Sequence, residues 1–197
     1  MGNRAVITTK DHDLALYLHW NGGRDSVEPL LRYCELQGYR APSADCYGWA
    51  RMAQVVGNFF GGSLSVGIDR FSRLGDQGDN GIYVIDGWKI VGREGLYDGF
   101  TEQLEYPFDE MLHAYDDAMP EGERLGKFLD AVEVPASELK VGDRVWMRGF
   151  DGWESFSVAG FKDGRAYTAR FENGGNWTGN PNNFVQGETA FIEPREK

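Results

Sequence analysis

The stretch from Tyr17 to Val27 constrains the fold more than any other part of this chain, because a strand pattern ends there and a helix pattern begins. Apolar side chains alternate with other residues just before the turn, which is the period of a strand with two unlike faces. These residues are Leu14, Leu16 and Leu18. Gly22 and Gly23 follow, and we expect them to supply a backbone path that other residues cannot take.

A helix is predicted after this turn. Asp25 or Ser26 can cap its first turn, and Asp25 with Glu28 three residues later resembles a capping box. Gly38 stands where the residue after a helix end is expected. The apolar positions with helical spacing are Val27, Leu30, Leu31 and Cys34. The sequence therefore predicts a strand, a glycine turn and an amphipathic helix in direct succession.

This junction is one candidate ligand site. A glycine turn at a helix N-terminus presents backbone N–H groups that can hold an anion, but it is also an ordinary way to join a strand to a helix. The candidate site residues are His19, Asn21, Gly22, Gly23 and Arg24. A small molecule or a signalling nucleotide bound at this place is one alternative for the function of the chain.

The remaining patterns predict an α+β fold. An N-terminal mixed sheet covered by helices is expected over residues 1–133, and a linker at 133–137. Residues 138–197 contain short strand patterns separated by turn residues, which is typical of a small SH3-like β-barrel. Asp86-Gly87 between two apolar runs predicts a tight hairpin in the first domain.

Most of the net charge of −11 is concentrated in one segment. Residues 94–133 carry twelve acidic and two basic side chains, a net charge of −10. Apolar stripes predict two amphipathic helices there, one before Pro120 and one after it, with carboxylates on their outer faces. The candidate partner-binding acidic surface is Glu102, Glu105, Asp109, Glu110, Asp116, Asp117, Glu121 and Glu123.

An acidic surface of this kind disfavours direct nucleic-acid binding, since contacts with phosphates supply most of that affinity. It can instead compete for a basic nucleic-acid-binding channel on another protein, and long-range attraction would speed the encounter. The alternative is a solvated helix face, which is what a run of charges usually forms. The sequence thus indicates a protein partner with a basic surface.

Cys46 begins a second predicted helix, from about Cys46 to Phe60, which is apolar on most sides and is expected to be central and buried. Asp45-Cys46-Tyr47-Gly48 resembles the Asp-Cys-Ser-Gly motif of one family of cysteine peptidases. Those enzymes take their histidine from a strand after the helix, whereas the only later histidine here is His113. A Cys46 hydrolase therefore remains an alternative, and a buried structural thiol is the favoured interpretation.

The other chemical signals predict neither a metal site nor a cofactor. The three histidines are scattered, and no zinc-type cysteine pair, EF-hand loop or phosphate-binding lysine motif occurs. The two cysteines, Cys34 and Cys46, without an export signal, indicate a reducing compartment, which we expect to be the cytoplasm. No apolar run approaches the length of a membrane span.

Residues 1 to about 130 resemble an uncharacterised family from phages, plasmids and integrative elements of Gram-positive bacteria. The segments that carry the resemblance are Met1-Gly2-Asn3-Arg4-Ala5-Val6-Ile7, Tyr17 to Val27, Tyr47-Gly48-Trp49-Ala50-Arg51, Asn58-Phe59-Phe60-Gly61-Gly62 and Asp79-Asn80-Gly81. The resemblance implies no catalytic residues. It implies a mobile-element context, in which compact acidic proteins often act against host defence, as anti-CRISPR and antirestriction proteins do. The expected function is non-enzymatic inhibition of a host nuclease that targets nucleic acid.

Overall fold

The computed structural model describes residues 3–62, 65–74, 78–102, 104–149, 152–171, 177–178 and 184–195. The chain divides into two compact units, Met1–Arg124 and Leu125–Lys197, so the first unit ends before the boundary expected near residue 133. The fold is α+β, with helices in the first unit and a sheet in each unit. No helix of the described residues is both long enough and apolar enough to cross a membrane.

The first unit contains a five-stranded mixed sheet. Its strands are β1 (Ala5–Thr9), β2 (Leu14–Leu18), β3 (Val66–Arg70), β4 (Ile82–Asp86) and β5 (Lys89–Glu94). The order is β3-β2-β1-β4-β5. β1 pairs in parallel with β4, and the other neighbours are antiparallel. The two parallel strands are central, and every residue of β1 is buried.

Three α-helices accompany this sheet: α1 (Arg24–Leu36), α2 (Cys46–Phe59) and α3 (Phe108–Ala118). α1 packs against both α2 and α3, and these two also contact each other. The strand–turn–helix succession predicted around Val27 is confirmed, and Gly38 has the left-handed φ expected just after a helix. The Asp86-Gly87 hairpin is confirmed as well, because Asp86 pairs with Lys89 and Gly87 has a φ of 61°.

Burial follows the alternation of the strands. Ile7, Leu16 and Ile85 are fully buried on the face that the helices cover. The opposite face carries a smaller buried cluster, formed by Val6, Ala15, Ile82 and Val84, against which Tyr17, Phe71 and Leu74 pack. Both faces of the sheet are therefore covered, which explains why β1 and β4 are almost continuously buried.

The second unit contains a six-stranded antiparallel sheet in the order β10-β9-β8-β7-β11-β6. Its strands are β6 (Val132–Pro135), β7 (Arg144–Arg148), β8 (Trp153–Lys162), β9 (Arg165–Phe171), β10 (Trp177–Thr178) and β11 (Thr189–Ile192). Its core contains Leu139, Val145, Val158, Ala166, Val185, Ala190 and Ile192. No strand pairing in the described part of this unit closes the sheet, so the SH3-like barrel is not confirmed. The residues predicted as a linker form instead strand β6 and a 3₁₀ turn at Ala136–Glu138.

The acidic segment forms one α-helix within the described residues, not the two that were predicted. After Pro120 the chain makes two short 3₁₀ turns, Glu121–Glu123 and Gly126–Asp130. Gly122 lies in the first turn, and Gly126 has a left-handed φ of 56° at the start of the second. A helix cannot propagate through such closely spaced breaks, because each restart must again meet the cost of nucleation.

The second helix is placed correctly by the sequence but is not central. α2 ends at Phe59, close to the predicted end at Phe60, and Gly61 and Gly62 after it both have positive φ. Only one stripe of this helix is buried, formed by Gly48, Trp49, Met52, Val55 and Val56. Tyr47 is 60% exposed. The helix is therefore amphipathic, and the expectation of burial on most sides is wrong.

Candidate functional site

The glycine turn before α1 is a packing contact between backbones. Gly22 and Gly23 are both buried, and neither has a positive φ, whereas Asn21 does, at 52°. A Cβ on Gly22 would lie 2.7 Å from the Cβ and the N of Ala5. The Gly22 N–H donates to the Asn3 carbonyl (2.7 Å), and the Gly22 carbonyl accepts from the Tyr83 hydroxyl (2.9 Å). Glycine is thus required at position 22 for close approach to β1, and the predicted reason, an unusual φ, is wrong.

The polar residues of this junction bind protein groups. The Arg24 guanidinium contacts the Glu28 carboxylate at 2.6 Å, and this hydrogen bond raises the pKa of Arg24. His19 Nδ1 lies 3.1 Å from the Tyr17 hydroxyl, and Asn21 Nδ2 donates to Ser26 Oγ at 3.4 Å. The three cavities described below contain none of the five predicted site residues. The structure offers no support for a ligand at this junction.

Asp25 has a different role from the predicted capping box. The N-cap of α1 is Gly23, which has no side chain to form a capping hydrogen bond. The buried Asp25 carboxylate instead accepts two backbone N–H groups, from Glu105 at 2.6 Å and from Tyr106 at 3.0 Å. A charged acceptor for two amide donors is a strong contact. Asp25 therefore anchors the loop at 104–107 that leads into α3.

Asp116 must be removed from the predicted acidic surface. Its side chain is buried, with 4% of the residue exposed, and it accepts a hydrogen bond of 2.7 Å from the Tyr33 hydroxyl of α1. Gln37 Nε2 donates to the same hydroxyl oxygen at 2.8 Å and to the Glu123 carbonyl at 2.6 Å. Burial, and then the bond to Asp116, raise the pKa of Tyr33 above its ordinary value. Asp116 therefore ties α3 to α1 and is not available to a partner.

Glu102 is also partly engaged, because it forms an ion pair of 2.9 Å with Arg93. Arg93 in turn lies over the ring of Tyr83, with its guanidinium carbon 3.8 Å from the ring centroid. Glu102 thus belongs to a cluster with Arg93 and Tyr83. It contributes less free negative charge than the sequence suggested.

The other predicted acids lie at the surface. Glu105, Asp109, Glu110, Asp117, Glu121 and Glu123 are exposed, and we call them the acidic surface. Within the described residues, none of them has an ion pair with a lysine or arginine. Gln54 donates a hydrogen bond of 3.3 Å to the Glu123 carboxylate. These carboxylates lie on α3 and on the segments that come before and after it.

Large apolar side chains are exposed among these acids. Leu104 is 69% exposed, Tyr106 45% and Phe108 42%. They lie in the loop that Asp25 anchors and at the first residue of α3. Phe108 also lines a pocket of about 250 Å³ with Glu28, Leu31 and Trp88. Exposed apolar groups beside charges are typical of surfaces that bind another protein.

Cys46 lies in a different part of the first unit, and its predicted burial is wrong. It is exposed at the first residue of α2, after Asp45, whose carboxylate caps the helix by accepting the Tyr47 N–H at 2.9 Å. It lines a crevice of about 420 Å³ at the carboxyl ends of β1 and β4. Ligands of open α/β sheets bind at the carboxyl ends of parallel strands. This position was not apparent from the sequence, because the pairing of β1 with β4 is non-local.

The crevice lacks the base that a cysteine hydrolase requires. No histidine is among the residues that line it, and Lys10 is paired at 2.6 Å with Asp86. His12 lies next to Glu94 (3.1 Å), and the hydrogen bond between them raises the pKa of His12. The described residues contain no group of three His, Cys, Asp or Glu side chains that could hold a metal ion. The arrangement therefore gives no support to catalysis by Cys46.

The two thiols are expected to react very differently with alkylating reagents. Cys34 is buried, as the sequence indicated, and burial raises the pKa of its thiol, whereas Cys46 is exposed. Because the thiolate is the reactive form, iodoacetamide should label one site on the native protein and two sites after denaturation. Mass spectrometry of digested peptides would identify the label on Cys46. Equal labelling of Cys34 in the native protein would contradict the packing of α1.

Comparison with family models, with curated proteins and with solved structures found no significant match for this chain. No relative therefore transfers an activity or a binding residue to it. The features that remain for inferring a function are the acidic surface, the exposed apolar side chains beside it, the crevice at Cys46 and a groove of about 300 Å³ in the second unit. Of these four features, the acidic surface carries the most charge, and its side chains form few hydrogen bonds or ion pairs with the rest of the fold.

Proposed function

We propose that this chain is an anti-defence protein of a phage or mobile element. It binds a host nuclease that targets nucleic acid and occupies the basic surface on which that nuclease holds its substrate. The inhibition is non-enzymatic. The observation that carries the proposal is the group of exposed carboxylates on and beside α3 that have no ion pair within the described residues.

Most of these carboxylates lie at positions where negative charge does not stabilise the fold. Asp109 and Glu110 lie in the first turn of α3, where the helix dipole favours negative charge. Asp117 lies in the last turn, where the dipole disfavours it, and no basic residue is present in that turn. Glu105, Glu121 and Glu123 add further like charges that repel one another. Negative charge maintained against repulsion is typical of a surface that meets a positive partner.

The exposed apolar side chains fit the same interface. Charged residues alone speed association but add modest affinity, whereas buried aromatic and aliphatic groups hold most complexes together. Leu104, Tyr106 and Phe108 lie next to Glu105 and Asp109 in the chain, and all five are exposed. A partner with a lysine- and arginine-lined channel and an adjacent apolar surface would contact both kinds of group.

The proposal is tested by protection of invading DNA. The chain would be produced in bacteria that carry restriction or RNA-guided nuclease systems, and survival of a targeted phage would be measured. We expect survival to rise with at least one system, and the purified nuclease of that system to bind the chain more weakly as salt increases. Survival that stays unchanged with every system would contradict the proposal.

A charge-neutralised variant then tests the surface. Asp109→Asn, Glu110→Gln and Asp117→Asn together should weaken binding to that nuclease about tenfold or more at low salt, because three carboxylates facing a basic channel are lost. The matched control is Asp13→Asn, Glu138→Gln and Glu188→Gln, which neutralises three exposed acids elsewhere. It should leave affinity within about twofold, because it removes the same net charge but none of its three residues belongs to the acidic surface. Equal weakening by both variants would show that net charge, and not this surface, governs binding.

A further inference from the structure

A small pocket opens in the first unit where α1, the β4–β5 hairpin and the start of α3 meet. Its volume is about 250 Å³. The apolar residues that line it are Leu31 of α1, Trp88 and Ile90 of the hairpin, and Phe108, the first residue of α3. This volume is below the range of sites that hold cofactors or drug-sized ligands, so we expect the pocket to take a smaller group.

Part of the apolar lining is fixed by the fold. Leu31 and Trp88 are buried, and the Trp88 indole N–H donates a hydrogen bond of 2.9 Å to the Tyr39 carbonyl. Phe108, in contrast, is 42% exposed. Covering such a side chain removes apolar surface from water, which favours binding. The pocket therefore combines a preformed part with an apolar wall that a bound group would cover.

The charges of the lining cancel one another. Two acidic residues, Glu28 and Glu35, and two basic residues, Arg32 and Lys89, line the pocket. Arg32 contacts Glu35 at 2.6 Å, and Glu28 contacts Arg24 at the same distance. A charged group brought into the pocket would compete with these pairs, whereas an uncharged apolar group would leave them in place. The pocket thus favours an apolar side chain.

Part of the acidic surface lies beside this pocket. Asp25, in the first turn of α1, binds the Glu105 N–H at 2.6 Å, one helical turn before the first residue of that helix that lines the pocket. Asp109 and Glu110 directly follow Phe108 in α3. Three exposed carboxylates of the acidic surface are therefore close to an apolar pocket whose own charges cancel.

We infer that this pocket receives one large apolar side chain from a lysine- or arginine-rich segment of a protein partner. The apolar side chain covers Phe108, and the basic residues on either side of it meet Glu105, Asp109 and Glu110. Interfaces commonly depend on one anchor of this kind, seated in a pocket and surrounded by charged contacts. A second copy of this chain fits less well, because it carries the same negative charge at this place. The inference rests on the proposed function, since the segment belongs to the basic surface of the nuclease.

The experiment titrates the ¹⁵N-labelled full chain with three five-residue peptides, followed by nuclear magnetic resonance. The first peptide has tryptophan between two lysines on each side, the second has alanine in place of tryptophan, and the third has glutamate in place of the lysines. We expect the first to shift the amide signals of Lys89, Ile90 and Phe108 and to bind about tenfold more tightly than the second. The third should not bind up to about 5 mM. Equal affinity of the first two peptides, or no shift of these three signals, would overturn the inference.

A variant tests the exposed wall of the pocket. Phe108→Ala should weaken binding of the tryptophan peptide about fivefold and bring it close to that of the alanine peptide. The matched control is Tyr47→Ala, which removes an aromatic side chain that is 60% exposed on α2 and does not line the pocket. It should leave the affinity within about twofold. Unchanged affinity in Phe108→Ala would overturn the inference.

Two further measurements exclude other occupants. N-acetyltryptophanamide, which has the indole but no lysines, should bind at least about tenfold more weakly than the tryptophan peptide. Equal binding would make the pocket a small-molecule site and overturn the inference. Sedimentation without peptide should show a monomer. A dimer that Phe108→Ala abolishes would make a second copy the occupant and would also overturn it.

The assay of phage survival separates the failure of this inference from the failure of the proposed function. If the wild type protects the phage and Phe108→Ala protects it equally well, the proposed function stands and the inference is overturned. If the wild type protects no phage but the tryptophan peptide binds in a way that depends on Phe108, the preference of the pocket for a basic segment stands. Only the assignment of that segment to a nuclease then fails.

Discussion

Gly48→Ala is expected to lower the free energy of unfolding of the first unit by about 3 kcal/mol or more. Gly48 lies in the first turn of α2, where the preceding segment crosses the helix. A Cβ at this position would lie 2.3 Å from the Pro42 N, 2.4 Å from the Ala41 carbonyl carbon and 2.6 Å from the Arg40 carbonyl oxygen. All three are backbone atoms, which cannot rotate away as a side chain can, so the segment or the helix must move.

The same helix provides a matched control. Gly57 is also inside α2, and a Cβ there would meet no atom within 4 Å. Gly57→Ala should therefore stabilise the unit by about 0.5–1 kcal/mol, because alanine loses less backbone entropy than glycine in a helix. Hydrogen exchange of the buried amides in β1 and α1 would measure both variants within the first unit alone. Equal exchange rates in Gly48→Ala and the wild type would contradict the close approach of residues 40–42.

Asp116→Ala is expected to destabilise the first unit by about 2–4 kcal/mol. The substitution leaves the buried Tyr33 hydroxyl without the acceptor that now lies at 2.7 Å, and it removes a link between α1 and α3. Asp116→Asn keeps an oxygen that can accept this hydrogen bond, so its loss should be clearly smaller. The measurement is again hydrogen exchange, combined with urea unfolding followed by tryptophan fluorescence.

Asp117→Ala is the control for this pair, because it removes the same charge from the adjacent residue. Asp117 is exposed on α3, and its substitution should change the stability by no more than about 0.5 kcal/mol. A double-mutant cycle with Tyr33→Phe would show whether the loss in Asp116→Ala comes from the hydroxyl contact. If Asp116→Ala and Asp117→Ala lowered the free energy of unfolding by the same small amount, the burial of Asp116 against Tyr33 would be contradicted. This pair also explains why the charge-neutralised variant of the acidic surface omits Asp116.

The predictions that succeeded concern local patterns in the chain. Alternating apolar residues marked β2, helical spacing marked α1, and Asp86-Gly87 marked the hairpin of β4 and β5. Each of these depends on interactions between residues a few positions apart, and periodicity records such interactions directly. The second predicted acidic helix failed for a local reason as well. Gly122 and Gly126 interrupt it. The prediction relied on the spacing of the apolar residues and did not take these two glycines into account.

The candidate site was predictable in part. The concentration of acids between residues 94 and 133 is plain in the sequence, and six of the eight carboxylates proposed for the surface are exposed. Which ones are exposed was not predictable, because Asp116 and Asp117 are adjacent and chemically identical. Adjacent residues of an α-helix point in directions about 100° apart around its axis. Asp116 therefore lies against Tyr33, whereas Asp117 is exposed to solvent.

The α+β class, the main local elements of the first unit, the segregation of charge and the burial of Cys34 are all apparent in the sequence. Three contacts are not apparent there: Asp25 binds backbone groups of a loop eighty residues away, Gly22 is needed for contact with β1, and Cys46 lines a crevice. The difference lies in the range of the interactions. Secondary structure follows from nearest neighbours along the chain, whereas the partner of a buried polar group is chosen by packing between segments that are distant in sequence.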